Sequence, residues 1–390
     1  MKEASIEKMY ILIFLFIISF IMRIGTPIFT PYAAAFGATS VLIGLILGFT
    51  SFSDLTGNLI AGPLVDRFGK KIFITIPLFT SGALFIAHGL ASNSKQLFIL
   101  HGLNGFALAF LIPAAIAMLS GYARNSREQG KNIAINGILT TIAGMVAPFL
   151  GGKMADVIGY SNTYFIIGAA ILATALFATF LITERQFIIT HKKKIMPTIT
   201  KSNTFFSAPL LTSYLIGFAV MYIHGVVIFE VPYLTVEEGL SPSVTGKLFS
   251  FLSLGAFITL FMFFINRYDP LKRLLVGLLG MCLSLYGIFS LSLSLPLMLF
   301  LTGIFFGLVM PAMATVVTEN VPRENYGKAF GIMSAVYSLG MILSSILTGI
   351  IREYISPYFI AFLIGMLVVA IVGYTRLRLN QIMKPKGDFY

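Results

Sequence analysis

Five ionisable side chains lie well inside long apolar stretches of the sequence: Arg23, Asp54, His101, His224 and Glu230. A charged side chain at the centre of a spanning helix costs roughly 2.5–3.5 kcal/mol on insertion scales, so it normally faces a partner or a wet cavity. Carboxylates and imidazoles bind and release protons, while an arginine can hold an anion. The five residues therefore predict a pathway for protons or for a charged solute inside a membrane.

Arg23 and Asp54 are predicted to pair at a similar depth. Arg23 lies 14 residues after Met9, where the first apolar run begins, which is ~21 Å along a helix at 1.5 Å per residue. Asp54 lies 12 residues before Asp66, which is ~18 Å by the same rise. Such a pair would either exchange protons in a central cavity or serve only as a buried structural ion pair.

Composition places these residues in an all-α membrane protein. Of the 390 residues, 57% are hydrophobic and only 11% are charged, whereas a soluble domain carries about 25% charged residues. At roughly 30 residues per helix and loop, the chain has room for about twelve spans. Apolar runs of spanning length lie at residues 9–35, 40–64, 73–92, 96–121, 131–153, 160–182, 205–230, 243–265, 272–293, 296–318, 328–351 and 356–378.

The 27 Lys and Arg residues predict how the chain is oriented. If both termini lie on one side, 22 of the 27 fall in loops on that side, four fall on the other side and Arg23 lies between. Basic loops face the cytoplasm, so we expect a multi-pass protein of the cell membrane with cytoplasmic N and C termini. The net charge of +12 reflects these loops, and no basic face interleaved with aromatic residues indicates a nucleic-acid partner.

The two halves of the sequence repeat each other. The matching segments are residues 30–37 with 231–239, 66–68 with 266–268, 111–114 with 309–312 and 127–131 with 323–328. We therefore predict two pseudo-symmetric six-helix bundles, over residues 1–183 and 205–390, joined by a basic cytoplasmic linker at residues 184–204. Duplicated halves that face each other create a central cavity, and rocking one half against the other opens it to alternate sides.

The repeat also ranks the remaining ionisable residues. His224 occupies the position in the second half that Arg23 occupies in the first, so it is a candidate for the cavity. Glu230 lies six residues further along and either lines the pathway or sits at its outer rim. His88 is near the outer end of the third run and is interpreted as an interfacial histidine.

Several function classes leave no trace in the sequence. Cys282 is the single cysteine, which excludes disulfides and cysteine-rich metal sites. The sequence has no phosphate-binding loop, no paired catalytic carboxylates and no HExxH string. We therefore expect no cofactor, no direct use of ATP and no intramembrane enzyme. A receptor that does not transport would have no need of loops that are repeated in both halves.

A glycine-rich basic string, GPLVDRFGKK, joins the second and third apolar runs. Its marked residues are Gly62, Asp66, Arg67, Gly69 and Lys70. Glycines permit a tight turn, and the Asp66 carboxylate can face the positive end of a neighbouring helix. By charge alone the string is an ordinary basic loop. As a whole it resembles the loop signature of the major facilitator superfamily, and the twelve runs, the linker and the duplication extend this resemblance over the whole chain.

A second string resembles the fifth-helix motif of proton-driven exporters in that superfamily. It runs from residue 144 to residue 152 and includes Gly144, Pro148, Gly151 and Gly152, with Ala147 where the motif has glycine. Small residues let helices approach closely, and proline bends a helix. The resemblance implies export, while tight helix packing alone is the alternative.

A third string departs from the family pattern. The family's fourth helix often carries an Arg that is linked to proton transfer, followed by Gln and Gly three and four residues on. This chain has His101, Asn104 and Gly105 there. The resemblance implies that the His101 imidazole replaces the guanidinium in proton transfer, or that the coupling site has moved. A structural histidine that faces the bundle interior remains the alternative.

The resemblance implies a twelve-helix transporter of the drug:proton antiporter branch. The expected function is alternating-access export of small apolar or amphipathic compounds, coupled to protons and performed by a monomer in the lipid bilayer. Uptake of an organic anion, with Arg23 holding its carboxylate, is one alternative. A lipid flippase of the same fold is another.

Asp66 provides a test of the gate that the resemblance implies. If its carboxylate anchors the N-terminal bundle against the start of the eleventh span, Asp66→Asn should weaken the state that is closed to the cytoplasm. Chemical labelling of cysteines placed at the cytoplasmic mouth of the cavity should then increase. Unchanged labelling would leave Asp66 with a role in topology only.

Overall fold

The computed structural model describes residues 2–122, 126–183, 204–290, 293–322 and 325–383. Within these ranges all regular secondary structure is helical, and twelve segments are long and apolar enough to cross a membrane. Both results confirm the predicted all-α class and the number of spans.

The described part of the first half contains eight helices. They are α1 (Lys2–Ile24), α2 (Phe29–Ala35), α3 (Ser40–Phe68), α4 (Ile72–Gly89), α5 (Ser94–Ala109), α6 (Leu111–Gly121), α7 (Ser126–Ile158) and α8 (Tyr160–Leu181). Among its described residues, the second half contains six helices and two short 3₁₀ turns, Thr204–Phe206 and Phe263–Arg267. The six are α9 (Ala208–Glu237), α10 (Pro242–Phe261), α11 (Pro270–Ser290), α12 (Leu295–Asn320), α13 (Tyr326–Ile351) and α14 (Pro357–Met383).

Two spans that we predicted as continuous helices are broken. The first is interrupted at residues 25–28, between α1 and α2. Pro27 has no N–H to donate, and Gly25 is a weak helix former, so the helix stops one residue after Arg23. The fourth is divided at Phe110, three residues before Pro113, because the proline removes a backbone hydrogen bond.

Each half has its own buried core. Phe14, Ile18, Leu78 and Ile167 belong to one cluster of buried side chains in the first half, and the second half has a separate cluster. Phe229 of α9 packs into the first cluster, so the halves also meet. The predicted bundle boundaries, residues 1–183 and 205–390, stay a prediction, and the linker prediction, residues 184–204, falls almost entirely outside the described residues.

The sequence repeat is visible in the backbone. Gly37 follows α2 with φ 73°, and Gly239 follows α9 with φ 64°. At both places the glycine N–H bonds the carbonyl three residues earlier, and the next N–H bonds the carbonyl five residues earlier. This arrangement is a Schellman-type helix end, which favours glycine because of the left-handed φ.

Contacts between helix ends define the two ends of the molecule. Lys8 Nζ lies 3.1 Å from Glu128 Oε1, which joins the starts of α1 and α7. Lys328 Nζ lies 4.6 Å from the ring centre of Phe205. We call the end that holds these residues the basic end, and the end that holds Gly37 and Gly239 the opposite end.

The bundles touch closely at the opposite end. A Cβ on Gly44 of α3 would lie 2.5 Å from the carbonyl oxygen of Ser345 in α13. A Cβ on Gly152 of α7 would collide with the Pro242 carbonyl at the start of α10. Glycine therefore lets the backbones of the two bundles meet directly, which closes the opposite end.

In the part of the chain that the structure describes, the basic end is open. A Cβ on Gly137 of α7 or on Gly331 of α13 would meet no atom within 4 Å. A cavity of about 380 Å³ separates α7 from α10 there, with Ile133 and Phe261 among its lining residues. The structure therefore shows a conformation that is closed at the opposite end and open at the basic end.

Two carboxylates reinforce the closed end in equivalent places. Asp156 Oδ2 accepts a hydrogen bond of 3.2 Å from the backbone N–H of Ser243, in the first turn of α10. Glu353 Oε1 accepts one of 3.4 Å from Ser40 Oγ, at the start of α3. Each carboxylate lies four residues after a glycine that contacts the same partner helix, Gly152 for one and Gly349 for the other.

Asp156→Asn should loosen this closure. A carboxylate at an exposed helix N-terminus contributes roughly 0.3–1 kcal/mol, so the population open at the opposite end should rise by about 2- to 5-fold. The measurement is the labelling rate of Thr26→Cys, a cavity position, by an impermeant thiol reagent applied at the opposite end. Asp269→Asn is the matched control, because Asp269 caps α11 within a single bundle. Equal rates in Asp156→Asn and the parent would contradict this assignment.

Candidate functional site

The larger central cavity lies between the bundles and has a volume of about 540 Å³. Most of its wall comes from the first half, and part comes from α9 and α13. Its lining includes Met22, Phe29, Leu47, Thr50, Ser51, Asp54, Phe85, His101, Asn104, Leu108, Tyr164, Ile228, Ser334, Tyr337 and Met341. Nine of these fifteen residues are apolar or aromatic, and the other six carry hydroxyl, amide, imidazole or carboxylate groups.

Asp54 contributes the carboxylate of this cavity. It lies on α3, and its Oδ2 accepts a hydrogen bond of 3.1 Å from Asn58 Nδ2, one turn further along. The hydroxyls of Thr50 and Ser51 donate to carbonyls of their own helix. Asp54 is therefore the acidic group among the described residues that line the larger cavity, and an amide holds one of its oxygens in place.

A smaller cavity of about 280 Å³ adjoins the larger one. Arg23 and His224 both line it, from opposite bundles. Thr26 and Ile228 line both cavities, so the two spaces are neighbours. The structure thus brings together the two residues that the repeat predicts to be equivalent.

Glycine makes room for the Arg23 guanidinium. A Cβ on Gly144 would lie 3.3 Å from Arg23 Nη1 and 2.9 Å from Ser253 Oγ. Among the described residues, no carboxylate oxygen lies within 4 Å of the guanidinium. Pro148 lines the same cavity one turn later. The first residues of the fifth-helix string therefore shape the space around Arg23.

The predicted pair of Arg23 and Asp54 is wrong for this conformation. The two side chains lie in different cavities, and Asp54 bonds Asn58 instead. Counting residues along a helix gives height in the membrane but not direction around the helix axis. Arg23 lies beside α7 and α10, whereas Asp54 shares its cavity with residues of α5 and α13.

His101 lies on the wall of the larger cavity, and it has a partner that we did not predict. His101 Nδ1 lies 3.3 Å from His88 Nε2, and the His101 ring stacks on Phe29 with centroids 3.8 Å apart. His88 is 0% exposed, so its interpretation as an interfacial histidine is wrong. A short loop, residues 90–93, joins α4 to α5, and this hairpin places the two imidazoles at the same height.

Asn104 and Gly105 join α5 to its neighbours. Asn104 Oδ1 accepts a hydrogen bond of 2.7 Å from Ser81 Oγ of α4. A Cβ on Gly105 would lie 2.8 Å from Thr50 Cγ2 of α3. Asn104 is only 4% exposed, so within the cavity wall it positions helices more than it presents polar atoms to a solute.

Glu230 lies away from both cavities. Its Oε1 is 3.1 Å from Arg352 Nε, and the same guanidinium donates to both carboxylate oxygens of Glu237 at 2.9 Å. Burial opposes the charge on Arg352, but the hydrogen bonds and charges of Glu237 and Glu230 outweigh it and raise the pKa of the guanidinium. This cluster lies at the opposite end of the second bundle, which matches the outer-rim alternative for Glu230.

The glycine-rich string is mostly helical, whereas we predicted a loop. Helix α3 continues to Phe68, and the turn comes only at Gly69, whose φ is 93° and whose N–H bonds the Val65 carbonyl. Arg67 is exposed. The surroundings of Gly62 and the side chain of Asp66 lie outside what the structure describes, so the role of Asp66 as a gate stays a prediction.

The end of the fifth-helix string packs against other backbones. A Cβ on Gly151 would collide with the carbonyl of Ile24, at the end of α1. Gly152 meets α10, and a Cβ on Gly246 of α10 would in turn collide with the Pro148 carbonyl. This string therefore joins the Arg23 cavity at one end to the closed contact between bundles at the other.

The chain belongs to the Major Facilitator Superfamily, whose sequence profile matches residues 11–299 and 231–386. Twelve spans, a duplicated pair of bundles and a cavity between them are the features that this assignment explains. The protein is a multi-pass membrane transporter that acts on small molecules. The predicted resemblance is thereby confirmed.

Individual relatives are distant. An uncharacterized MFS-type transporter of Methanocaldococcus jannaschii is 24% identical over 354 residues, which cover 87% of this chain and 90% of the relative. A multi-drug resistance efflux pump PmrA homolog of Lactococcus lactis is 24% identical, with 81% and 80% covered. The crystal structure of a bacterial homolog to the human lysosomal transporter Spinster, in an inward-facing and occupied conformation, superposes with a TM-score of 0.73. It is 18% identical and covers 94% of this chain and 90% of its own.

Proposed function

We propose that this protein exports small amphipathic compounds from the cell and is driven by protons. The larger cavity carries the proposal. Its volume of about 540 Å³ lies in the range of drug-sized binding sites, about 300–1,000 Å³. Its aromatic and methionine walls can adapt to varied apolar bodies, and a single acidic side chain, Asp54, lies among the described lining residues.

The proposed orientation of the protein in the membrane rests on the distribution of its basic residues. The proposed direction of transport rests on motif resemblance. Basic loops remain on the cytoplasmic side, so the basic end faces the cytoplasm and both termini lie there. The open cavity of this conformation then loads from inside. The fifth-helix string resembles that of proton-driven exporters, and a relative that is described as an efflux pump supports the same direction.

A monomer suffices for this function. Residues of one chain line both cavities from both bundles, and the closed end is built from contacts within that chain. Alternating access then requires only that the two bundles rock about the cavity between them.

Asp54 is the proposed coupling group. A proton-driven carrier needs a side chain that alternates between a charged and a neutral form as access switches. Asp54 lines the larger cavity, and Asn58 donates a hydrogen bond to one of its two carboxylate oxygens. A proton on the other oxygen would remove the charge of Asp54. The cavity could then close around Asp54 without the cost of burying an unpaired charge.

Asp54→Asn should abolish gradient-driven transport while it preserves downhill exchange of substrate, because asparagine keeps the shape of the side chain but cannot titrate. The measurement is uptake of a panel of amphipathic compounds into proteoliposomes, with and without a pH gradient. Glu238→Gln is the matched control, since Glu238 is an exposed carboxylate at the opposite end. Full gradient-driven activity in Asp54→Asn would refute this role.

Transport of an organic anion is a second candidate, favoured by the position of Arg23. Its guanidinium shares the smaller cavity with His224 and has no carboxylate within 4 Å among the described residues. An uncompensated charge at membrane depth is unfavourable. A solute carboxylate could supply the missing anion while its apolar body occupies the larger cavity.

Arg23→Gln separates the two candidates. If the substrate is an anion, affinity for an aromatic carboxylate should fall by about 10- to 150-fold, which matches the ~1.5–3 kcal/mol of a hydrogen bond to a charged group. Affinity for the corresponding neutral amide should not change. Arg267→Gln, at the exposed basic end, is the control. Equal affinities of Arg23→Gln and the parent for the carboxylate would exclude the anion reading.

A further inference from the structure

The two histidines of the first bundle form a hydrogen-bonded pair in which the protonation pattern is restricted. His88 Nδ1 lies 2.7 Å from the Leu84 carbonyl oxygen, and a carbonyl only accepts, so this nitrogen carries hydrogen. In the neutral ring His88 Nε2 is then an acceptor. His101 Nδ1, at 3.3 Å, must be the donor to it. One nitrogen of the pair, His101 Nε2, therefore remains as a basic site.

This basic nitrogen belongs to the side chain that lines the larger cavity, whereas His88 is completely buried behind it. A proton that enters the cavity therefore reaches His101 first. When it bonds to His101 Nε2, the Nδ1–H bond of His101 can break as a new N–H bond forms at His88 Nε2. The positive charge moves to His88, and His101 becomes neutral again with its hydrogen on Nε2.

Aromatic faces enclose both imidazoles. Phe29 stacks on His101 with centroids 3.8 Å apart. Phe85 and Tyr164 lie 5.6 Å and 5.3 Å from His88. A cation within about 6 Å of an aromatic ring is stabilised by the ring's quadrupole. These aromatic faces offset part of the cost of burying one positive charge on the pair, and no carboxylate among the described residues lies within 4 Å of either ring.

The pair also connects the cavity to α2, at the opposite end. Tyr32 of α2 donates a hydrogen bond of 2.8 Å to the backbone carbonyl of His88, and Phe29 lies on the same short helix. Helix α2 follows the break in the first span. Among the described residues, Tyr32, Tyr164, Tyr337 and Asp54 are the other titratable groups that face the pair or share its cavity.

We propose that the His88–His101 pair is a second proton-binding site, which takes one proton per transport cycle in addition to Asp54. The proposal rests on the proton coupling put forward above. Asp54 supplies the charge that must be neutralised before the loaded cavity can switch. The histidine pair takes its proton at His101 and holds it nearer to the opposite end than Asp54 lies. At that end α2 would separate from the second bundle when the cavity opens there.

A direct test observes the imidazoles without measuring transport. The sequence has four histidines, so ¹⁵N-histidine NMR of the full chain in lipid nanodiscs can resolve each ring, with His191→Gln and His224→Gln used for assignment. Both rings of the pair should titrate together between about pH 5 and 8, and His88 should become doubly protonated. Rings that stay neutral over this range would overturn the proposal whatever the protein transports.

Two variants distinguish proton binding from a structural hydrogen bond. Phe29→Leu removes an aromatic face but leaves both imidazoles, and it should lower the proton affinity of the pair by about 2- to 30-fold. His101→Gln should transport with one proton fewer per solute, measured as charge moved per solute, whereas Asp54→Asn should lose coupling altogether. Unchanged proton affinity in Phe29→Leu together with unchanged stoichiometry in His101→Gln would also overturn the proposal.

Discussion

Direct backbone contact between the bundles at the opposite end determines the rest of this structure. Within lipid, apolar surfaces gain little by associating, so close approach and van der Waals packing hold helices together. Gly44 and Gly349 on one side, and Gly152 and Gly246 on the other, bring the bundles together in two equivalent places. Because the contacts involve few side chains, the bundles can also part at small cost. This seal leaves the cavity open at the basic end.

The break in the first span gives the pseudo-symmetric halves different roles. Helix α9 is continuous past its own Pro232, whereas the equivalent span stops at Ile24 and restarts at Phe29. The residues around the break, including Thr26, line both cavities. Discontinuous helices often mark solute sites in transporters, since unpaired backbone is tolerated where it faces a cavity. The duplication therefore explains the two bundles, and the break in the first half, which departs from it, contributes residues to the cavities between them.

Hydropathy and counting could predict the helices, their number and the duplication, because lipid accepts only fully hydrogen-bonded segments. They could also give the height of each ionisable residue. The direction in which a side chain points around its helix cannot be predicted in this way. The predicted pairing of Arg23 with Asp54 is therefore wrong, because Gly144 leaves room for the Arg23 guanidinium on another side of the helix. The contact between His88 and His101 cannot be predicted for a related reason. The position of His88 near the end of its span indicates an interfacial residue, whereas the α4–α5 hairpin places its side chain against His101. Contacts across the hairpin, not sequence position, determine its surroundings.

The two neighbouring cavities suggest how the charge of a solute determines the direction of coupling. Two unit charges ~10 Å apart interact by ~1.7 kcal/mol at an effective dielectric of ~20. A cationic solute in the larger cavity would therefore disfavour protons on Asp54 and on the histidine pair, which is the relation that antiport requires. An anion beside Arg23 would favour those protons, which is the relation of symport. Because Thr26 and Ile228 border both spaces, a solute in one cavity would affect proton binding in the other. On the proposed mechanism, an exporter and an anion carrier would then differ mainly in the sign of that interaction.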